Sequence, residues 1–256
     1  MDSPFINVER SDTFLIIRLT RPEKLNALSR EMILALSEIF KSLDSEPDLR
    51  AVILTGTGDQ AFCAGSDTND PHGPGDLEFL ERSQALFSQI ESSQVPVIAA
   101  VNGIAAGGGC ELALACHLRI ASDNAQFSLA EATSGFASGS EGARRLVGEA
   151  GEQGALELLR GKTFSAGKAL RFGLINRAVP AAELVAQAEG LAREIAQLAP
   201  LAIRACLEAV TQGNQLPLAE GLALEAKLFA SLFDTDDVRE GTSAFLEKRA
   251  PVFKGT

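Results

Sequence analysis

The stretch 96–131, PVIAAVNGIAAGGGCELALACHLRIASDNAQFSLAE, constrains this chain more than any other. An apolar run of strand composition at 97–101 meets Asn102-Gly103, then three consecutive glycines at 107–109, then a helix-like run at 110–116. The order is strand, glycine turn, buried helix. Glycine lets the backbone approach a ligand closely. A helix that begins there points its unpaired N–H groups and the positive end of its dipole at whatever occupies the turn. The guest that suits such a turn is an oxygen with negative charge. Glu111 falls one turn into the helix, and Glu131 follows a short strand-like stretch. The pattern is an oxyanion cradle with two carboxylates as candidate proton handlers.

With 256 residues and 46% hydrophobic content, the chain can bury a large core. No apolar run reaches the ~20 residues needed to cross a bilayer. The opening MDSPFINVER lacks the basic and apolar regions of a secretion signal, so a cytoplasmic protein with no membrane partner is expected. Cys63, Cys110, Cys116 and Cys206 lack metal-ligand spacing, and three of the four lie in apolar surroundings. Reduced core thiols are expected, rather than disulfides or zinc ligands. A net charge of −11 argues against nucleic acid as a partner, because binding a polyanion needs a basic face. A small anionic ligand held by a few local Lys and Arg stays compatible with it.

Along the chain, 5–9 and 14–20 read as a hairpin turned at Ser11-Asp12. After the loop RPEKLNALS, Leu28, Met32, Leu36, Ile39 and Leu43 recur at helical spacing and predict a helix over 28–44 with one buried stripe. A strand at 51–55 leads into the glycine-rich loop GTGDQAFCAGSDTND at 56–70, which PHGPGD extends to a helix at 76–93. The Pro and Gly turns make this a candidate mobile flap. The segment TSGFASGSEGARRL reads as a loop, 165–172 as a short helix and 174–179 as a strand. Helical spacing then covers 181–198, 200–212, 217–232 and 235–248. Strand-rich first and helix-rich last, the chain reads as an α/β core with a helical tail. Strand-strand-helix recurs loosely through the first two thirds, without a fixed repeat length.

Five landmarks carry a resemblance: RPEKLNALS at 21–29, AFCAGSD at 61–67, PVIAAVNGIAAGGGCELALAC at 96–116, GLIN at 173–176 and DVREGTSAFLEKRAPVFKG at 237–255. In this order they resemble the crotonase superfamily, the enoyl-CoA hydratases and isomerases, over essentially the whole chain. The resemblance implies a crotonase-like α/β spiral of strand-strand-helix repeats over 1–195. It also implies a helical C-terminal extension over 196–256 that forms a homotrimer, often paired into a hexamer. The implied substrate is an acyl-CoA thioester, with coenzyme A as part of the substrate and no metal or redox cofactor. By position, the backbone N–H groups of Ser66 and Gly108 form the oxyanion hole, Glu111 and Glu131 are the catalytic glutamates, and the N–H of Gly139 helps hold the catalytic water. The resemblance makes Glu131 the residue retained in isomerases and Glu111 the mark of hydratases. It places substrate and CoA contacts on Lys24, Leu25, Ala27, Ala64, Asp67, Thr68, Gly107, Ala130 and Gly135. Phe229 and Lys248 match positions that reach a neighbouring subunit's CoA.

The chain departs from the family in two places. Ala130 stands where proline is usual, and Ser138-Gly139-Ser140-Glu141-Gly142 stands where a proline-glycine-x-glycine-glycine run is usual. Glu141 adds a third carboxylate, expected to face solvent or to pair with Arg144 or Arg145. Glu111 alone would be consistent with complementing its helix dipole, and the three glycines with close packing. Their company, Glu131 and AFCAGSD, favours catalysis. His72 and His117 have no partner pattern and are expected as a loop residue and a helix-end residue. Lys24 and Lys248 have ordinary surface lysines as their alternative reading. The absence of Tyr and Trp excludes a phenolic acid. The expected reaction is reversible addition of water to a 2-trans-enoyl-CoA. The alternative is double-bond isomerisation relying on Glu131. An alternative of another class is a non-catalytic CoA-binding or RNA-binding homologue, and acidic charge counts against its RNA version.

Overall fold

The early strands are apolar on both faces, so they must be covered from two sides. In this computed structural model, which describes residues 3–129, 131–135 and 137–256 (44 and 134 in backbone only), that cover is what orders the chain. β1 (Ile6–Arg10) and β2 (Phe14–Leu19) pair antiparallel as the expected hairpin. Helix α1 (Arg30–Ser42) follows, capped by Ser29, whose Oγ accepts from the Met32 N–H. Its buried stripe is Met32, Ile33, Leu36 and Phe40.

The next three turns of chain repeat one plan. β3 (Ala51–Gly56) leads to β4 (Ala61–Cys63) and helix α2 (Leu77–Glu91). β5 (Val97–Val101) leads to β6 (Ile104–Ala106) and α3 (Gly108–Ala115), and β7 (Leu118–Ser122) leads to β8 (Gln126–Ser128) and α4 (Gly142–Leu159). The chain then runs through β9 (Phe164–Ser165), α5 (Ala166–Arg171) and β10 (Arg177–Val179). It ends in α6 (Leu184–Ala196), α7 (Pro200–Thr211), α8 (Leu218–Ser231) and α9 (Asp236–Glu247).

The first strand of each turn enters a sheet ordered β1-β2-β3-β5-β7-β10, and the second enters a sheet ordered β4-β6-β8-β9. Successive turns stack in parallel register, Val52 on Val97 and Ile98 on Leu118 in the first sheet, Ala61 on Ile104 and Ile104 on Gln126 in the second. This is the spiral of strand-strand-helix units. Leu15, Ile17, Val52, Leu54, Val97, Ala99 and Val101 belong to the larger core with α1, α2 and α3. The alternate residues Ile16, Ile53, Ile98, Ala100 and Ile120 pack against Leu184, Ala188 and Ala192 of α6.

Two short strands lie where loop was expected: β4 inside 56–70, and β6 between Asn102-Gly103 and the glycines. The segment 67–76 is tied at three points. Asp67 pairs with Arg21 at 2.8 Å, Asp70 Oδ2 accepts from the Arg30 N–H at 2.9 Å, and Asp76 Oδ1 accepts from the Glu78 N–H at 3.0 Å. Cys63, Cys110 and Cys116 are buried free thiols and Cys206 is an exposed one. Burial pushes Cys63 and Cys116 up to about 12 and raises Cys110 as well, so none of the three is a thiolate near neutral pH. Among the described residues, no helix is long and apolar enough to cross a membrane.

Candidate active site

One wall of the site is two segments laced together. Leu25 and Asn26 both take left-handed backbone, φ 51° and 56°. The buried Asn26 stabilises this turn: its Oδ1 accepts from the Arg21 N–H, and its Nδ2 donates to Thr57 O and, at 2.8 Å, to Ala61 O. Three backbone bonds then join the segments, Ala64 N–H to Leu25 O, Leu28 N–H to Gly65 O and Asp67 N–H to Leu28 O. Lys24, Leu25 and Ala27 therefore stand beside Ala64, Ser66, Asp67 and Thr68, with Lys24 and Thr68 exposed. The Asp67 side chain is buried against Arg21, which holds its carboxyl below the usual carboxylate range. Asp67 thus offers a ligand its backbone, not its charge.

The facing element is the N-terminus of α3. Gly107 caps it with φ 50° and ψ −128°, a backbone state open to glycine alone, and its N–H donates to Ser128 O at 2.9 Å. Gly108 opens the helix beside Ser66: a Cβ on Gly108 would stand 3.7 Å from Ser66 N. Among the described residues neither the Ser66 N–H nor the Gly108 N–H has a hydrogen-bond partner. Two free donors thus adjoin at the positive end of a helix.

Both glutamates reach this end of α3. Glu111 is buried, and its Oε1 accepts from Ser138 Oγ at 2.6 Å and from the Ser140 N–H at 3.1 Å. The carboxylate lies so close to the start of α4 that a Cβ on Gly142 would stand 2.8 Å from Oε1. Its Oε2 has no partner among the described residues. Glu131 opens a short turn, Glu131–Ser134, and its Oε1 lies 3.1 Å from where a Cβ on Gly107 would stand. Its Oε2 is buried and unpartnered among the described residues. Burial pushes the Glu131 carboxyl above the usual carboxylate range, and the charge of Glu111 adds to the rise against its own backbone N–H.

The structure gathers most of the expected residues and separates two. Gly139 lies between Ser138 and Ser140, its carbonyl accepting from Gln84 Nε2 at 2.7 Å, and Gly135 is an exposed turn with φ 80°. Ala130 lies outside the described residues. Phe229 and Lys248 are on the C-terminal helices: Phe229 lines a groove with Cys206, Leu222 and Leu232, and Lys248 ends α9 in left-handed backbone. Glu141 pairs with Arg144 at 2.8 Å, as one of its expected roles. His72 is an exposed loop residue and His117 follows α3, as expected. Ser138 and Ser140, which hold Glu111, were not singled out. Their only sequence signal was that they sit in the loop that departs from the family pattern.

Comparison with known proteins agrees with this fold. The Enoyl-CoA hydratase/isomerase family matches residues 9–256. A probable enoyl-CoA hydratase of Mycobacterium tuberculosis is 41% identical over 253 residues, 97% of each chain. The (E)-benzylidenesuccinyl-CoA hydratase of Thauera aromatica is 37% identical, covering 98% of this chain and 99% of that one. The crystal structure of an enoyl-CoA hydratase from Bacillus anthracis superposes with a TM-score of 0.94 at 37% identity, over 98% of this chain and 100% of that one. With its spiral of paired strands and its two carboxylates at the head of α3, the chain belongs to the enoyl-CoA hydratase/isomerase family and has the crotonase fold.

Proposed function

We propose that this chain is an enoyl-CoA hydratase, adding water reversibly across the double bond of a 2-trans-enoyl-CoA thioester. The observation that carries the reading is the unequal setting of two carboxylates at one helix N-terminus. Glu111 is fixed through Oε1 by two donors and keeps Oε2 for a water; Glu131 Oε2 has no partner among the described residues, and its carboxyl has a raised pKa. Such a pair divides the labour of hydration. Glu111 takes a proton from the water as its oxygen bonds to the β-carbon, and the double-bond electrons move toward the thioester oxygen. The Ser66 and Gly108 N–H groups stabilise the charge that builds there, and Glu131 delivers its proton to the α-carbon. Protons and electrons balance without a metal or a redox cofactor.

The CoA portion lies along Lys24, Leu25, Ala27, Ala64, Asp67 and Thr68, with Gly107 and Gly135 flanking the acyl group and the Gly139 N–H on the water. The chain assembles as a homotrimer or a pair of trimers. Supporting this, α7 and α8 bury no residue within the chain, while Leu218, Leu222, Phe229, Phe233 and Phe245 are exposed. Phe229 and Lys248 then complete a neighbour's CoA site. A cytoplasmic location fits the four free thiols.

Incubation with crotonyl-CoA in D2O tests the reaction class. A hydratase bleaches the conjugated thioester absorbance and places one deuterium on the α-carbon. Conversion of a 3-enoyl-CoA to the 2-enoyl form without any hydration would replace this reading with isomerisation on Glu131.

A further inference from the structure

Arg145 is 4% exposed, and its guanidinium reaches both the site and a helix end outside it. Nη1 donates to Ser140 O at 2.9 Å, and Nη2 donates to Glu91 Oε2 at 2.9 Å. Ser140 is the residue whose N–H holds Glu111 Oε1. Glu91, the last residue of α2, is clamped in turn. Its carbonyl lies 3.1 Å from His117 Nε2, and His117 Nδ1 accepts from the Val97 N–H at 2.9 Å, so Nε2 carries the proton that Glu91 O receives. Burial pushes this imidazole down to about 4, which keeps it in that neutral form. His117 follows Cys116, the C-cap of α3, the helix that bears Glu111. The contacts close a ring: α3, His117, Glu91, Arg145, Ser140, Glu111 and α3 again.

We propose that Glu91 and Arg145 are a positioning pair, outside the reaction pocket, that fixes Ser140 and through it the Glu111 carboxylate; the proposal rests on Glu111 acting on the attacking water. Arg145 is a poor device for stability alone. It buries a cation, and its Nε is buried with no partner among the described residues. It is well suited to holding geometry, because its two terminal nitrogens grip two elements in one plane. Glu141 and Arg144 belong to the outer side of the same cluster. Arg144 pairs with Glu91 at 2.7 Å and with Glu141 at 2.8 Å, and Glu141 approaches Arg145 only to 3.5 Å. The carboxylate that departs from the family pattern therefore braces the pair from the solvent side.

The test separates water activation from the rest of the machinery. Hydration of crotonyl-CoA uses Glu111, whereas exchange of the α-protons of butyryl-CoA in D2O uses the oxyanion donors and Glu131 but no attacking water. Arg145→Met is expected to lower kcat for hydration about 10–100-fold, leave KM within about twofold and leave α-proton exchange within about twofold. Arg145→Lys should restore part of the hydration rate. In a Glu111→Gln background, Arg145→Met should cost nothing further, since the group it positions is gone. If Arg145→Met does not fold, Glu91→Gln keeps the side-chain volume, weakens the grip and should give the same split at smaller size. Hydration and exchange falling together, or additive losses in the double variant, would overturn the positioning role. A wild type that hydrates, with Arg145→Met equal to it, overturns the positioning role alone. A wild type that exchanges α-protons yet adds no water overturns the hydration reading and the positioning role with it.

Discussion

At Glu131, burial disfavours the charge, and the proposed reaction needs a carboxyl there that gives up its proton. The side chain has one buried oxygen with no partner among the described residues, and burial, with the charge of Glu111, raises its pKa above the ordinary carboxylate value. A carboxyl whose folded pKa is raised contributes stability that is full below its unfolded value and is lost as pH rises through the folded one. Glu131→Gln, which has no charge to bury, should therefore match the wild type in thermal midpoint near pH 4 and exceed it near pH 8. Equal pH dependence of the two midpoints would show that Glu131 sits in no such environment. The placing of Glu111 and Glu131 at the glycine-opened end of α3 was legible in the sequence, because Glu111 lies one turn past the glycines and Glu131 follows the next strand-like stretch. The hydroxyl of Ser138 and the amide of Ser140 were not, because they meet Glu111 across 27 and 29 positions of chain along a path that no local pattern encodes.

The N-terminus of α3 is the element on which the proposed chemistry converges. Gly108 is its first residue, where proline fits the helix but has no N–H to offer. Gly108→Pro should leave the far-ultraviolet circular dichroism unchanged and lower hydration by roughly 10²–10³, the usual worth of one aimed donor. A folded variant with undiminished turnover would remove Gly108 from the oxyanion hole. Periodicity exposed α1, α2 and the C-terminal helices, whose apolar stripes run unbroken for three turns or more, but not α4, which starts inside the expected loop and is interrupted by Gly148, Gly151 and Gly154, with non-helical backbone at Gly151. It missed β4 and β6, whose three residues establish no period. These strands exist because neighbouring turns of the spiral supply their partners.

On the scale of the molecule, a sheet covered on one face by α1 to α3 and on the other by α6 fixes where that helix end stands. β3, β5 and β7 begin at 51, 97 and 118, so the spiral has no constant period and reads only as a loose recurrence until its strands are seen to stack. The C-terminal helices point outward with apolar faces, and light scattering at micromolar concentration should return a trimer or hexamer; Lys248→Glu should weaken CoA binding without dissociating it. A monomer with intact CoA affinity would contradict the shared site. The pocket as a whole is tested most directly by the rate of crotonyl-CoA hydration in the wild type, Glu111→Gln and Glu131→Gln, followed as loss of the thioester absorbance. Wild type should hydrate, and each variant should be slower by roughly 10²–10⁴, because each removes a full acid-base partner. A wild type that hydrates no 2-enoyl-CoA, or a Glu111→Gln variant that hydrates at the wild-type rate, would contradict a two-glutamate hydratase.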